Sequence, residues 1–192
     1  LEEGGPILVI AGAGSGKTRT LTYRVAHLVE RGVPPEQVLL ATFTNKAARA
    51  MLSRVESLIG REINGIWGGT FHHCAHRTLR VHAGRLGFAP NFSILDSEDS
   101  RQLINTCIKG MEIDVKGGKF PKGDVIGNII SLSVNTEISL QDIIANRYRF
   151  FADRSQEISD VASEYKKKKR SLNVMDFDDL LLNTNILFRD FP

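Results

Sequence analysis

Cysteine is scarce: Cys74 and Cys107 are the two present in 192 residues. Two thiols are too few for a disulfide framework, and the expected setting is a reducing one, the cytoplasm. Long apolar runs are missing as well. No stretch approaches the ~18 to 20 residues that a membrane helix requires, so the sequence gives no reason to expect membrane insertion. The opening "LEEGGPILVI" is acidic where a secretory leader would be basic. There is no internal repeat, and the one low-complexity tract is "KKKKR" (166–170), which argues against a solenoid or a fibrous array.

What is present is ordinary for a globular chain: 42% apolar and 24% charged residues. The length allows one good core, or a core with a smaller companion. The net charge of +3 is unevenly spread. Residues 1–86 hold 11 Lys and Arg against 6 Asp and Glu, whereas 87–192 hold 14 against 16. The first half is therefore the one suited to polyanions such as nucleotides or nucleic acid.

That half also alternates in type. "PILVIAG" (6–12) is a continuous apolar run, expected as a strand buried on both faces. Residues 16–31 carry Leu21, Val25, Leu28 and Val29 at helical spacing, with Gly32 as a stop. "QVLLATF" (37–43) predicts a second buried strand. Residues 44–60 predict a helix capped by Thr44, with Ala48, Leu52, Val55 and Ile59 as one stripe. "IWGGTF" (66–71) predicts a third strand, and 72–85 a helix. Such alternation implies an α/β layer with a parallel sheet flanked by helices. From Phe88 to about Arg170 the signals turn helical: 97–109, 125–133, 139–151 and 155–170, with a loop at 116–124. This block is expected to be an all-α insertion, and residues 173–188 to begin a further helix.

"AGAGSGKTRT" (11–20) follows the first apolar run. A strand entering a glycine turn and then a helix presents backbone N–H groups, and the positive end of the helix dipole, to an anion. Gly14 and Gly16 permit backbone angles and close approach that a side chain would block. Lys17 can reach the β and γ phosphates of a nucleotide, and the Thr18 hydroxyl can ligate Mg²⁺. The common pattern G-x-x-x-x-G-K-[ST] places glycine at position 11. Ala11 stands there instead, small enough to leave binding intact, with Gly12, Ala13, Gly14, Ser15 and Gly16 completing the turn.

A phosphate turn does not by itself separate kinases, GTPases and motors. The segments after the next two strands are "ATFTNKAARAM" (41–51) and "GTFHHCAHRTLR" (69–80). Together with the turn they resemble motifs I, Ia and Ib of the superfamily 1 DNA helicases of the UvrD/PcrA/Rep group, and "MDFDDLL" (175–181) resembles a further segment of it. The resemblance implies a P-loop NTPase, RecA-like fold. It partitions the chain into a first motor subdomain (1–86), a helical subdomain (87–170) and a return into the motor subdomain (171–192). It also implies ATP and Mg²⁺ as cofactors, held by residues 11–18, with Arg19 beside the adenine and Lys17 and Thr18 in catalytic positions. Single-stranded DNA and single-strand/duplex junctions are the implied partners. Phe43 would stack on a base, Thr44, Asn45 and Lys46 would follow the backbone, and Thr70 and His72 would contact DNA. An aromatic platform of this kind is sequence-tolerant. Residue type alone leaves Phe43 open between that role and a core aromatic ending an apolar strand.

The group's D-E-x-Q-D carboxylates, its adenine-reading glutamine and its second motor domain with arginine fingers have no counterpart in this sequence. The expectation is an N-terminal piece of a larger 3′–5′ helicase, inactive alone, because phosphoryl transfer needs those parts positioned together. A kinase-like phosphotransferase and a non-catalytic nucleotide- or DNA-binding module stand as alternatives.

Three further clusters invite other readings. "HHCAH" (72–76) superficially resembles a zinc site, but lacks an H-E-x-x-H glutamate and a second Cys/His cluster. His73 and His76 are expected as ordinary helix residues. "KKKKR" is expected as a solvated helix end, with phosphate contacts as the alternative. Asp176, Asp178 and Asp179 are expected to cap and pack.

Overall fold

The computed structural model describes residues 5–111, 113 and 120–191. It divides into two compact units, residues 1–74 and 75–192. Among the described residues, no helix is long and apolar enough to cross a membrane. Of the loop expected at 116–124, residues 116–119 lie outside the described residues, and Gly123 and Asp124 already belong to a helix.

In the first unit, helix α1 (Lys17–Glu30) packs on α2 (Asn45–Ile59). Strands β1 (Leu39–Thr42) and β2 (Trp67–Thr70) form a parallel pair joined through α2. Pro34 and Pro35 introduce a single 3₁₀ turn, Pro35–Gln37, ahead of β1. The core is Val25, Ala26, Val38, Leu40, Met51 and Val55, and full burial of a residue such as Val55 is worth roughly 1.5–3 kcal/mol. The glycines of "WGGT" allow this closeness. A Cβ on Gly68 would lie 2.6 Å from Leu52 Cδ1, and one on Gly69 2.6 Å from His73 Cδ2.

The first apolar run departs from expectation. Among the described residues, 6–12 join no strand. Ile7, Leu8, Val9 and Ile10 are exposed, the last at 89%. A strand buried on both faces needs a partner at each edge, and an apolar run states a demand for burial without supplying the partner. β1 shows the same: Leu40 is buried while Leu39 is exposed.

The second unit receives the rest of α3 (Phe71–His82), which a 3₁₀ turn at Ala83–Leu86 ends. It also contains β3 (Ser93–Ile94), α4 (Ser97–Gly110), α5 (Gly123–Thr136), α6 (Leu140–Arg147), α7 (Ser155–Ser171), β4 (Val174–Met175) and α8 (Phe177–Asp190). Two cores coexist. One gathers α4, α5, α6 and α7 around Ile104, Ile126, Ile129, Ile144, Ile158 and Val161. The other joins Ala75, Leu79, Phe88 and Phe92 to Met175 and Leu180. The chain after α7 thus returns to the neighbourhood of residues 75–92. β3 and β4 fix that return as a parallel pair, Ser93 opposite Val174 and Ile94 opposite Met175. Asn173, at φ 54°, turns the chain into β4, and its Oδ1 accepts from the Ala89 amide at 2.9 Å.

Candidate functional site

The glycine turn is built from its own backbone. Gly14 (φ 76°) and Gly16 (φ 90°) occupy the left-handed region. Ser15 folds over, its hydroxyl donating to the Gly12 carbonyl at 2.7 Å. Gly16 caps α1 with no side-chain acceptor, and the first turn of that helix contains no acidic residue. The first intrahelical bond runs from the Thr20 amide to the Gly16 carbonyl at 2.9 Å. The preceding first-turn amides therefore have no helical partner by construction. A Cβ on Gly12 or Gly14 would meet nothing within 4 Å, so the turn opens onto free space. Lys17 Nζ donates to the carbonyls of Ala11 (3.1 Å) and Gly12 (2.6 Å), which lays the ammonium across the turn. Ala11 is outside the positive-φ residues, so this position does not need glycine. Thr18 is exposed beside Lys17. The Arg19 guanidinium lies 5.3 Å from the centre of the Tyr23 ring, one turn along α1. An uncapped amide cluster, an ammonium and a hydroxyl fit a polyphosphate with its divalent ion.

The strand ends form a second group, assembled by register. Thr42 pairs with Thr70, so Phe43 and Phe71 leave their strands side by side. Phe43 is 88% exposed. Its ring meets Phe71 edge to face at 5.3 Å. Thr44 caps α2, its Oγ1 accepting from the Ala47 amide at 3.1 Å. Thr70 Oγ1 accepts likewise from the His73 amide at 3.2 Å. Asn45 and Lys46 are exposed on the first turn of α2, and His72 is half-buried on that of α3. Two helix N-termini and two aromatic rings thus share one sheet edge. Helix N-termini and exposed aromatic rings are groups suited to phosphates and bases without sequence readout.

"HHCAH" has other employment. His76 Nε2 accepts from Arg80 Nε at 2.8 Å, and its ring lies edge-on to Phe92. Cys74 is buried. Among the described residues, no group of three His, Cys, Asp or Glu is arranged to hold a metal.

The basic run departs from the expected solvated end at one residue, Lys169, while Lys166, Lys167 and Arg170 are exposed. Lys169 is 6% exposed, and its Nζ lies 2.5 Å from both Asp176 Oδ2 and Asp179 Oδ2. Tyr165 donates its hydroxyl to Asp176 at 2.9 Å. Asp176 and Asp179 also form a reciprocal capping box on α8, as their expected capping role requires. Burial pushes the Asp176 carboxyl up, but the Lys169 ammonium and the surrounding hydrogen bonds outweigh it and hold the group below its ordinary value. Burial, reinforced by the neighbouring Asp176 charge, leaves Asp179 above its own. Burial, then the Asp176 charge, raises the Tyr165 phenol. Arg170 donates to the Leu86 carbonyl and lies 5.3 Å from the Phe88 ring centre. The buried Lys169 could have been anticipated from spacing: it lies four residues after Tyr165 and eight after Val161, on the apolar stripe of α7.

A cavity of about 540 Å³ in the second unit has Asp96, Glu98, Asp124, Asp176 and Asp178 on its walls. That charge is the wrong sign for a nucleotide.

The chain thus combines an α/β unit bearing an uncapped glycine turn with a second, mainly helical unit. The chain matches the UvrD/REP helicase N-terminal domain over residues 1–192 and belongs to that family. It is 43% identical over 190 residues to the ATP-dependent DNA helicase PcrA of Bacillus subtilis. It is 41% identical over 191 residues to the protein of that name from Staphylococcus aureus. In each case the match covers 98% of this chain and 25% of the relative. The chain thus spans about a quarter of the length of these relatives.

Proposed function

We propose that this chain is the ATP- and single-strand-DNA-binding N-terminal portion of a 3′–5′ DNA helicase, acting in the cytoplasm at single-strand/duplex junctions. Its first unit serves as part of a RecA-like P-loop motor. Residues 1–86 and 171–192 belong to the motor subdomain, and 87–170 are the helical insertion. The amides and side chains of residues 11–18 hold the ATP phosphates, Thr18 its Mg²⁺, and Arg19 the base. When bound, ATP supplies the free energy of its hydrolysis. Lys17 moves from its loop carbonyls to the phosphates, exchanging neutral acceptors for charged ones. Phe43 stacks on a base while Asn45, Lys46, Thr70 and His72 follow the backbone, with Thr44 and Thr70 also holding the helix N-termini that face it. The second motor domain completes the catalytic apparatus, consistent with relatives about four times as long.

The observation that carries this reading is Phe43, an aromatic 88% exposed at a strand end between two helix N-termini. The test is binding of fluorescent oligo-dT by the 192-residue chain across a salt series. The logarithm of affinity should fall linearly with the logarithm of salt, and Phe43→Ala should weaken binding by about five- to a hundredfold, the range of one stacked base. Salt-independent binding, or an unchanged Phe43→Ala, would overturn the DNA assignment. ATP turnover by this chain should be negligible, and DNA-stimulated turnover would show that no second motor domain is needed.

A further inference from the structure

The sheet edge carries a repeated dipeptide. Thr42-Phe43 ends β1 and Thr70-Phe71 ends β2, and the parallel register sets Thr42 opposite Thr70. Each phenylalanine therefore leaves the sheet at the same level. Each also stands at the start of a helix, α2 behind Thr44 and α3 at Phe71 itself. The two rings differ in exposure, 88% for Phe43 and 47% for Phe71. Their centres are 5.3 Å apart and their planes inclined by 60°. A base sandwiched between two rings would need them roughly 7 Å apart and parallel, two layers of van der Waals contact. The observed pair leaves no such slot, so Phe71 does not form the second wall of a base pocket. Its less exposed ring instead meets Phe43 edge to face, an arrangement favoured by the ring quadrupoles. An exposed phenylalanine otherwise exchanges among staggered rotamers, and this contact selects one.

We propose that Phe71 is a positioning residue for single-strand binding: it braces Phe43 so that one face of that ring stays presented to a nucleobase. The proposal rests on the assignment of Phe43 as the stacking platform. It adds that the platform is a pair, with one ring stacking and the other holding it.

The experiment compares two fluorescent strands of equal length, oligo-dT and an abasic deoxyribose-phosphate chain, on the 192-residue protein. Phe71→Ala should weaken oligo-dT binding by about three- to tenfold, the range of one edge-to-face contact, and leave the abasic strand unaffected. Phe71→Tyr, which keeps the ring, should restore binding. In a Phe43→Ala background, Phe71→Ala should add less than about twofold, because the braced group is already gone. Equal losses on both strands, or fully additive losses in the double variant, would overturn the bracing role. If Phe43→Ala alone leaves oligo-dT binding unchanged, the platform assignment itself fails, and that result is separate from the others. Should Phe71→Ala lose cooperative melting, Phe71→Leu retains apolar packing without a ring and serves the same comparison.

Discussion

The N-termini of α1 and α8 pose the same electrostatic problem and solve it with opposite residues. Both present unpaired amides and the positive end of a helix dipole. At α8, Asp176 accepts from the Asp179 amide, Asp179 accepts from the Asp176 amide, and Lys169 balances the two carboxylates. At α1, Gly16 offers no acceptor and the first turn has no acid. The first terminus is filled by the chain itself and is structural. The second has no such filling, and on the proposed function it takes an anion from outside. The strand-end helices fall between these: Thr44 caps α2 with one neutral hydroxyl, which satisfies an amide without supplying negative charge. The charge a sequence places at a helix start thus separates a terminus built for stability from one available to a ligand.

The largest expected effect breaks the filled terminus. Lys169→Ala leaves two half-buried carboxylates without their cation and should cost about 3 kcal/mol in urea unfolding, the low end for a broken buried pair. Lys166→Ala and Lys167→Ala, on exposed neighbours, should stay within about 0.5 kcal/mol. Equal effects at the three lysines would return "KKKKR" to the solvated-end reading. Next in size is a change that makes α1 resemble α8. Gly16→Asp puts a carboxylate at the open terminus, and aspartate tolerates left-handed backbone better than most residues. Equilibrium binding of a fluorescent ATP analogue should fall about tenfold or more, since a charged repulsion replaces charge-assisted bonds, whereas Gly16→Asn, which carries the same backbone strain without the charge, should lose less. Retained nucleotide binding would place the anion elsewhere.

The carboxylate pair gives a smaller, pH-dependent signature. Asp179 is held above its ordinary value and Asp176 below its own. As pH falls toward the ordinary aspartate range, the folded state takes up the Asp179 proton before the unfolded state does, and stability rises. Below that range the unfolded state binds the Asp176 proton first, and stability falls. The pair's contribution should therefore peak near the ordinary aspartate value. Asp179→Asn should remove the rising limb and keep the acid loss. Parallel stability–pH curves for the wild type and Asp179→Asn would show that Asp179 does not titrate as described.

The difference between these termini was partly legible in the sequence. "GSGKT" marks the open end, because glycine and the absence of acids are local properties. "MDFDD" marks a capped end for the same reason. The run of like charges hides Lys169, although its spacing to Val161 and Tyr165 marks the buried face of α7. Its pairing with Asp176 and Asp179 was not legible, because that contact is a tertiary relation. β3 and β4 escaped because two-residue strands carry no period. Residues 6–12 show the converse. Their apolar run is strong, yet a strand exists only with partners, and composition does not name them.

The smallest effect distinguishes two roles at one residue. Thr44 is proposed to lie along the DNA backbone, and its hydroxyl is already engaged by the Ala47 amide at 3.1 Å. Thr44→Ala should cost about 1 kcal/mol of stability through loss of the cap. It should also weaken DNA binding slightly, which by itself does not separate cap from contact. Thr44→Asp does. Aspartate is at least as good a cap as threonine, so thermal stability should hold or rise. The added carboxylate, however, fills the α2 terminus as Asp176 fills that of α8, and it opposes any phosphate there. Stability and oligo-dT affinity should therefore move in opposite directions in Thr44→Asp and in the same direction in Thr44→Ala. If oligo-dT affinity follows stability in both variants, Thr44 acts on DNA only by capping α2, and the phosphate path does not cross that terminus.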